Sequence, residues 1–311
     1  MPNSEDPRRA REPTPHAELN AVLDHLLREA RALLGDNFVG AYLQGSFAVG
    51  DHTDGSDCDF IIVTRRDITL DELPALQAMH AAIHDLPHLR WRNQLEGSYA
   101  PAAILRCWST APRDPPGEPR DERWGDPGTS GSPPRAYPFW YLDHGAKRLV
   151  RSEHDNSQVV RWVLRERGVV LGGPDPRELI DPVSPAALRA EVRATMERCL
   201  ALDLTPIEMQ AWLNFWVGLY CRMAHTLVTG EVWSKKAGKA WAMANLDPSW
   251  AAFIERTQRV GKGSDAGYDP VPSEDAWEAR RFARYVIDWA ERRALEHSKG
   301  DAASDPNGGG D

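Results

Sequence analysis

Apolar positions recur at helical spacing from Leu19 through Val22, Leu23, Leu26, Leu27, Ala30, Leu33 and Leu34. That stripe predicts an amphipathic helix, with Gly35 as its stop. The period then changes. Phe38 to Leu43 is a short apolar run expected to form a buried strand, and a loop rich in Gly, Asp and Ser follows from Gly45 to Ser56. A second strand is expected over Asp57 to Val63, a helix over about Leu70 to His84, and a strand over about Leu89 to Ser98. This alternation predicts an α/β unit. The stretch from Ala111 to Pro138, dense in Pro, Gly and charge, reads as a flexible connection or a lid. Beyond it the pattern is helical: Ser157 to Arg167, Pro185 to Leu202, Pro206 to Thr229, Ser234 to Asn245, Pro248 to Val260 and Glu274 to Glu296. The expected architecture is α+β, a mixed-sheet domain over residues 16–150 followed by a helical bundle over 151–297. Residues 1–15 and 298–311 are read as disordered.

Composition narrows the class. With 311 residues the chain is long enough for two domains, and its formal net charge of -9 argues against a nucleic-acid partner. An acidic chain suits a small cationic substrate instead. The four cysteines are scattered without a CxxC pair, so reduced thiols in a cytoplasmic protein are expected, with no zinc site. The N-terminus has no apolar signal region. The most apolar later stretch, Trp212 to Val228, is broken by Asn214, Arg222 and His225, so a buried helix is expected and not a membrane span.

Chemistry concentrates between the first two strands. Gly45 lets the backbone approach a ligand closely, and Ser46 adds an N–H and a hydroxyl suited to phosphate oxygens. Asp57 and Asp59 stand two residues apart at the opening of the next strand, where such positions share a face. Two converging carboxylates repel unless a cation lies between them, and Mg²⁺ bridging to substrate phosphates is the usual one. The alternative is that Asp57 caps a turn and Asp59 sits at a solvated strand end. Glu96, opposite in face to Leu95, is the candidate third carboxylate and further metal ligand; an exposed strand Glu is its other reading. His144 could approach the same loop. Trp140 could stack on a ring, or pack in the core.

Gly-Ser followed by Asp-x-Asp opening an apolar strand resembles the nucleotidyltransferase superfamily that includes DNA polymerase beta. From about Val39 to Arg259 the chain resembles the streptomycin/spectinomycin (aminoglycoside) adenylyltransferases. The blocks that carry this are Leu171-Gly172-Gly173-Pro174-Asp175-Pro176 with Ile180-Asp181-Pro182-Val183, Cys221-Arg222-Met223, Thr229-Gly230-Glu231-Val232-Trp233-Ser234-Lys235, and Trp241-Ala242.

The resemblance implies a nucleotidyltransferase domain joined to a helical domain, with AMP passing from ATP to a drug hydroxyl. It implies that Asp57 and Asp59 hold Mg²⁺, that Glu96 is the base, and that Arg222 and Lys235 bind phosphates. Glu208 sits where a drug-binding acid is expected, while Asp203 and Trp212 depart from the family pattern. The residues themselves are compatible with these roles. Arg222 borders the apolar face of one helix, where a guanidinium needs an anionic partner or a structural ion pair. Ser234 reads as an N-cap, placing Lys235 in a first turn that suits phosphate, or a solvated charge. The expected acceptor is an aminoglycoside-type antibiotic and the expected assembly a monomer or weak dimer. The rivals are adenylylation of a protein, and a nucleotide-binding regulatory module without catalysis.

Overall fold

The Leu19–Leu34 stripe forms α1 (Ala17–Leu34), and the apolar run after it forms β1 (Phe38–Leu43). These come from a computed structural model that describes residues 12–53, 56–86, 90–108, 137–201, 210–258 and 269–303. A short turn, α2 (Gly45–Ala48), leads on to β2 (Cys58–Thr64), α3 (Leu73–His84), β3 (Leu95–Pro101) and α4 (Ala102–Arg106). Next come β4 (Phe139–Leu142), β5 (Leu149–Ser152), α5 (Gln158–Arg167), β6 (Val169–Gly172) and α6 (Pro176–Leu179). The remaining helices are α7 (Pro185–Ala201), α8 (Gln210–Thr229), α9 (Lys235–Asn245), α10 (Ala251–Thr257) and α11 (Ser273–Ala303).

The six strands form one sheet in the order β5-β4-β3-β2-β1-β6. Only β2 and β3 run parallel, so the sheet is mixed, as expected. Residues 60–63 of β2 are apolar on both faces because both are buried there. Cys58, Phe60 and Ile62 pack toward α1 and α3 with Leu23, Leu26 and Leu76. Ile61 and Val63 face the other way, toward Leu105, Leu164 and Ile180.

The chain divides into two units, Met1–Ala48 with Asp57–Pro182, and Val49–Ser56 with Val183–Asp311. The sheet unit therefore runs past residue 150, where the sequence pattern ended it. The reason is strand pairing: β6 adds to β1 and β5 to β4, so the segment up to Pro182 completes the sheet. α5, expected in the bundle, belongs to this unit, where Leu164 joins its core. Of the tails expected to be disordered, residues 12–15 and 298–303 are described. Thr14 is buried and its hydroxyl donates to Asn20 Oδ1 at 2.7 Å, and α11 continues to Ala303. The segment 111–136 lies outside the described residues, as do 1–11 and 304–311.

In the helical unit α8 is the central element, touching α7, α9, α10 and α11. α8 and α9 cross closely because glycines face each other's partner helix. A Cβ on Gly238 would lie 2.7 Å from Arg222 Cα, and one on Gly218 would lie 3.0 Å from Lys239 Cε. No helix among the described residues is long and apolar enough to cross a membrane.

His80 on α3 is buried against the sheet, its Nε2 2.8 Å from the Tyr99 hydroxyl and its ring stacked on Phe60 at 5.9 Å. Burial pushes its pKa from the ordinary 6.5 down to about 3. The unfolded chain thus takes up this proton first, so the stability it controls is present above about 6.5 and is lost as pH falls toward 3. The slope from this one group reaches about 1.4 kcal/mol per pH unit. His80→Phe is expected to remove that part of the acid slope in denaturant midpoints measured across this window. An unchanged slope would show that His80 does not govern it.

Candidate active site

β1 ends where the Gln44 N–H donates to Asp59 O at 2.9 Å, and Gly45 then takes φ +59° to turn the chain into α2. A Cβ at Gly45 would lie 1.9 Å from Asp59 Oδ2. Glycine is therefore required twice, for the left-handed backbone and for the space that the carboxylate fills. The Ser46 hydroxyl beside it is buried without a hydrogen-bond partner among the described residues. A buried hydroxyl left unmatched costs about 1–3 kcal/mol, so such an atom in a turn of this kind suits a ligand oxygen.

Asp57 lies just before β2 and Asp59 within it. Parallel pairing sets Asp59 opposite Glu96 of β3, which brings these two sequence-predicted carboxylates side by side. Asp57 Oδ1 is 2.6 Å from Nδ1 of His144, in the turn after β4, so His144 does reach this site. Burial, reinforced by the charges of Asp59 and Asp57, pushes the Cys58 thiol well up and keeps it neutral. Trp140 is core: it is fully buried, and the Arg151 guanidinium lies 4.2 Å from its ring centre.

Glu96 is held from the far side by residues that sequence reasoning did not find. The Tyr141 hydroxyl donates to Glu96 Oε1 at 2.7 Å, and His154 Nε2 lies 3.3 Å from the same oxygen. Burial pushes the Glu96 pKa up; His154 and Tyr141 oppose that rise, and the charges of Asp57 and Asp155 add to it. Asp155 is itself buried, accepting from Ser98 Oγ at 2.6 Å and from Gln44 Nε2 at 3.2 Å. Burial also raises its pKa, against the pull of His154 and Ser98. The available signal was a polar cluster, Asp143-His144 and His154-Asp155, at the ends of two short apolar runs.

Do these residues fit a divalent cation? The donors are hard carboxylate oxygens, the chemistry Mg²⁺ takes, and their mutual repulsion favours a cation among them. Yet among the described residues no three His, Cys, Asp or Glu side chains come together as a cation site. Glu96 Oε1 accepts from Tyr141 and lies 3.3 Å from His154 Nε2. Asp57 and Asp59 suit the commoner arrangement, in which one or two carboxylates hold Mg²⁺ and waters and substrate phosphates complete its shell.

In the helical unit, Ser234 caps α9 as expected, its hydroxyl accepting from the Ala237 N–H at 3.0 Å. Lys235 thus opens the helix, with its Nζ 4.2 Å from the Phe215 ring centre. Asp51 Oδ2 accepts from the Lys236 N–H at 3.1 Å, so a carboxylate meets this helix end. Arg222 is half-buried on α8. Lys239 is buried, donates to Asn214 Oδ1, and has its pKa lowered to about 8 by burial. Glu208 lies outside the described residues.

Residues 178–289 match the family model for the aminoglycoside adenylyltransferase C-terminal domain. No curated protein matches the chain. Among solved structures it is similar to the spectinomycin adenyltransferase AAD(9) from Enterococcus faecialis, crystallised with ATP and spectinomycin. That match has 15% identity and a TM-score of 0.58, and covers 87% of this chain and 98% of that one. The family match bears out the resemblance read from the sequence and, with it, an enzyme of the nucleotidyltransferase class. The structural match bears out the fold.

Proposed function

We propose that the chain transfers AMP from Mg-ATP to a hydroxyl of a small cationic acceptor, an aminoglycoside-type antibiotic such as streptomycin or spectinomycin. The observation that carries this is the register of Asp59 beside Glu96 over the Gly45-Ser46 turn, in a chain whose second half matches an aminoglycoside adenylyltransferase domain. In this reading the Gly45 backbone and the Ser46 hydroxyl contact the triphosphate. Asp57 and Asp59 would hold Mg²⁺, which when bound offsets the charge on the reacting phosphates. Glu96 accepts the proton of the acceptor hydroxyl. The acceptor oxygen then bonds to the α-phosphorus, and the bond from that phosphorus to the pyrophosphate oxygen breaks. The solved relative's ATP and spectinomycin complex supports the same pair of substrates here. The acidic balance of the chain suits a cationic acceptor, and Glu208 is proposed to contact it. A monomer or weak dimer working in the cytoplasm completes the reading.

Arg222 and Lys235 are proposed as phosphate contacts. Arg222→Ala and Lys235→Ala are each expected to weaken ATP binding by about 1–3 kcal/mol, the loss of one charge-assisted contact, as measured by calorimetry. Unchanged affinity in both would remove the assignment.

The whole reading is tested by incubating the purified protein with Mg²⁺, ATP and a panel of aminoglycosides while following pyrophosphate. Release that depends on one acceptor supports it. AMP appearing on a protein, with no drug accepted, would favour the protein-modifying rival.

A further inference from the structure

Glu96 is bonded unevenly. At Oε1 the Tyr141 hydroxyl, which also lies 3.2 Å from Asp143 Oδ1, donates at 2.7 Å and His154 Nε2 lies 3.3 Å away, and no hydrogen bond is seen at Oε2 from the described residues. The Glu96 side chain is only 12% exposed. One anchored oxygen beside one open oxygen is the arrangement of a group held ready for a proton donor.

Neither group is free to wander. Tyr141 is fully buried on β4, paired in register with Ser98 of β3, and its ring stacks on His154 at 4.9 Å between centres. His154 lies in a turn pinned on each side. Its N–H donates to Ser152 Oγ at 3.1 Å, and the Asn156 side chain donates to Tyr137 O at 2.7 Å. Next to it, buried Asp155 ties the turn to Ser98 and Gln44, two residues of the sheet itself. An exposed ion pair would contribute little, but here the tyrosine and most of the carboxylate are out of water.

We infer that Tyr141 and His154 are positioning residues, which hold Glu96 by Oε1 so that Oε2 faces the acceptor hydroxyl. This rests on the reading of Glu96 as the base. Both act through Glu96, and neither is assigned a contact with substrate. Freezing the carboxylate in one rotamer removes motion that the proton transfer would otherwise have to wait for.

Tyr141→Phe, His154→Leu and His154→Gln test it, each made in the wild type and in a Glu96→Gln background. Circular dichroism and thermal midpoints would establish that each variant is folded. Tyr141→Phe and His154→Leu are expected to lower kcat by about 10–100-fold with KM for ATP unchanged. His154→Gln, which keeps an N–H donor, is expected to recover part of the loss. In the Glu96→Gln background none should lower the residual rate further, because the group they position is gone. Wild-type kcat in both Tyr141→Phe and His154→Leu, or the same fold-loss in both backgrounds, would overturn the positioning role. Should Glu96→Gln itself keep full kcat, the base assignment falls and this inference falls with it. Loss in Glu96→Gln alone overturns only the inference. A Tyr141→Phe protein that fails to fold leaves the His154 pair to decide, since that side chain is about one-third exposed.

Discussion

Asp57→Asn and Asp59→Asn are each expected to reduce Mg-dependent AMP transfer to background while the protein stays folded. The change replaces a carboxylate by an amide of nearly the same shape, so packing is spared and charge is lost. At Asp59 the contrast is sharp. Its Oδ2 occupies the space that the missing Gly45 side chain leaves, so an amide would fit there without a clash. It would nevertheless present a neutral group, with an N–H₂ donor in place of one oxygen, where a divalent ion needs oxygen donors. At Asp57 the loss also removes the charge that His144 pairs with at 2.6 Å. The check is steady-state turnover with thermal midpoints alongside. Near-wild-type turnover from either folded variant would remove the metal assignment.

The second large effect is expected at Glu96. Glu96→Gln should lower kcat by roughly 10²–10⁴-fold, the usual loss when a general base is removed, and leave ATP affinity nearly unchanged. The amide still accepts the Tyr141 hydrogen bond through its oxygen, so the local packing survives. What goes is the basic lone pair at the other position. Single-turnover kinetics separate the possibilities, because they report chemistry apart from binding. A variant that loses ATP affinity with kcat intact would make Glu96 a binding residue.

The parts of this site that could be read from the sequence are those whose meaning is local. Gly45-Ser46 and Asp57-x-Asp59 lie within fifteen residues of one another, between two apolar runs, and period and residue type suffice to place them. The helix starting after Ser234 was legible for the same reason, because a cap acts across one turn. What was not legible depends on pairing across the chain. β4, β5 and β6 are four residues each, too short for a period to show. Which unit the 151–182 segment joins is decided by β6 pairing with β1, a contact that no local spacing announces. Tyr141, His154 and Asp155 acquire their roles only when β4 and the turn after β5 are laid beside β3. Glu96 was found by its face on the strand, but the partners at its Oε1, Tyr141 and His154, come from distant parts of the chain.

The most direct measurement of the central claim is the mass of the acceptor after reaction. Purified protein, Mg²⁺ and ATP are incubated with streptomycin and, separately, with spectinomycin, and the drug is analysed by mass spectrometry. The account predicts that one drug gains the mass of a single adenylyl group, with pyrophosphate formed in equal amount, and that the Asp59→Asn protein yields neither. Both drugs recovered unmodified, from protein shown to bind ATP, would contradict it.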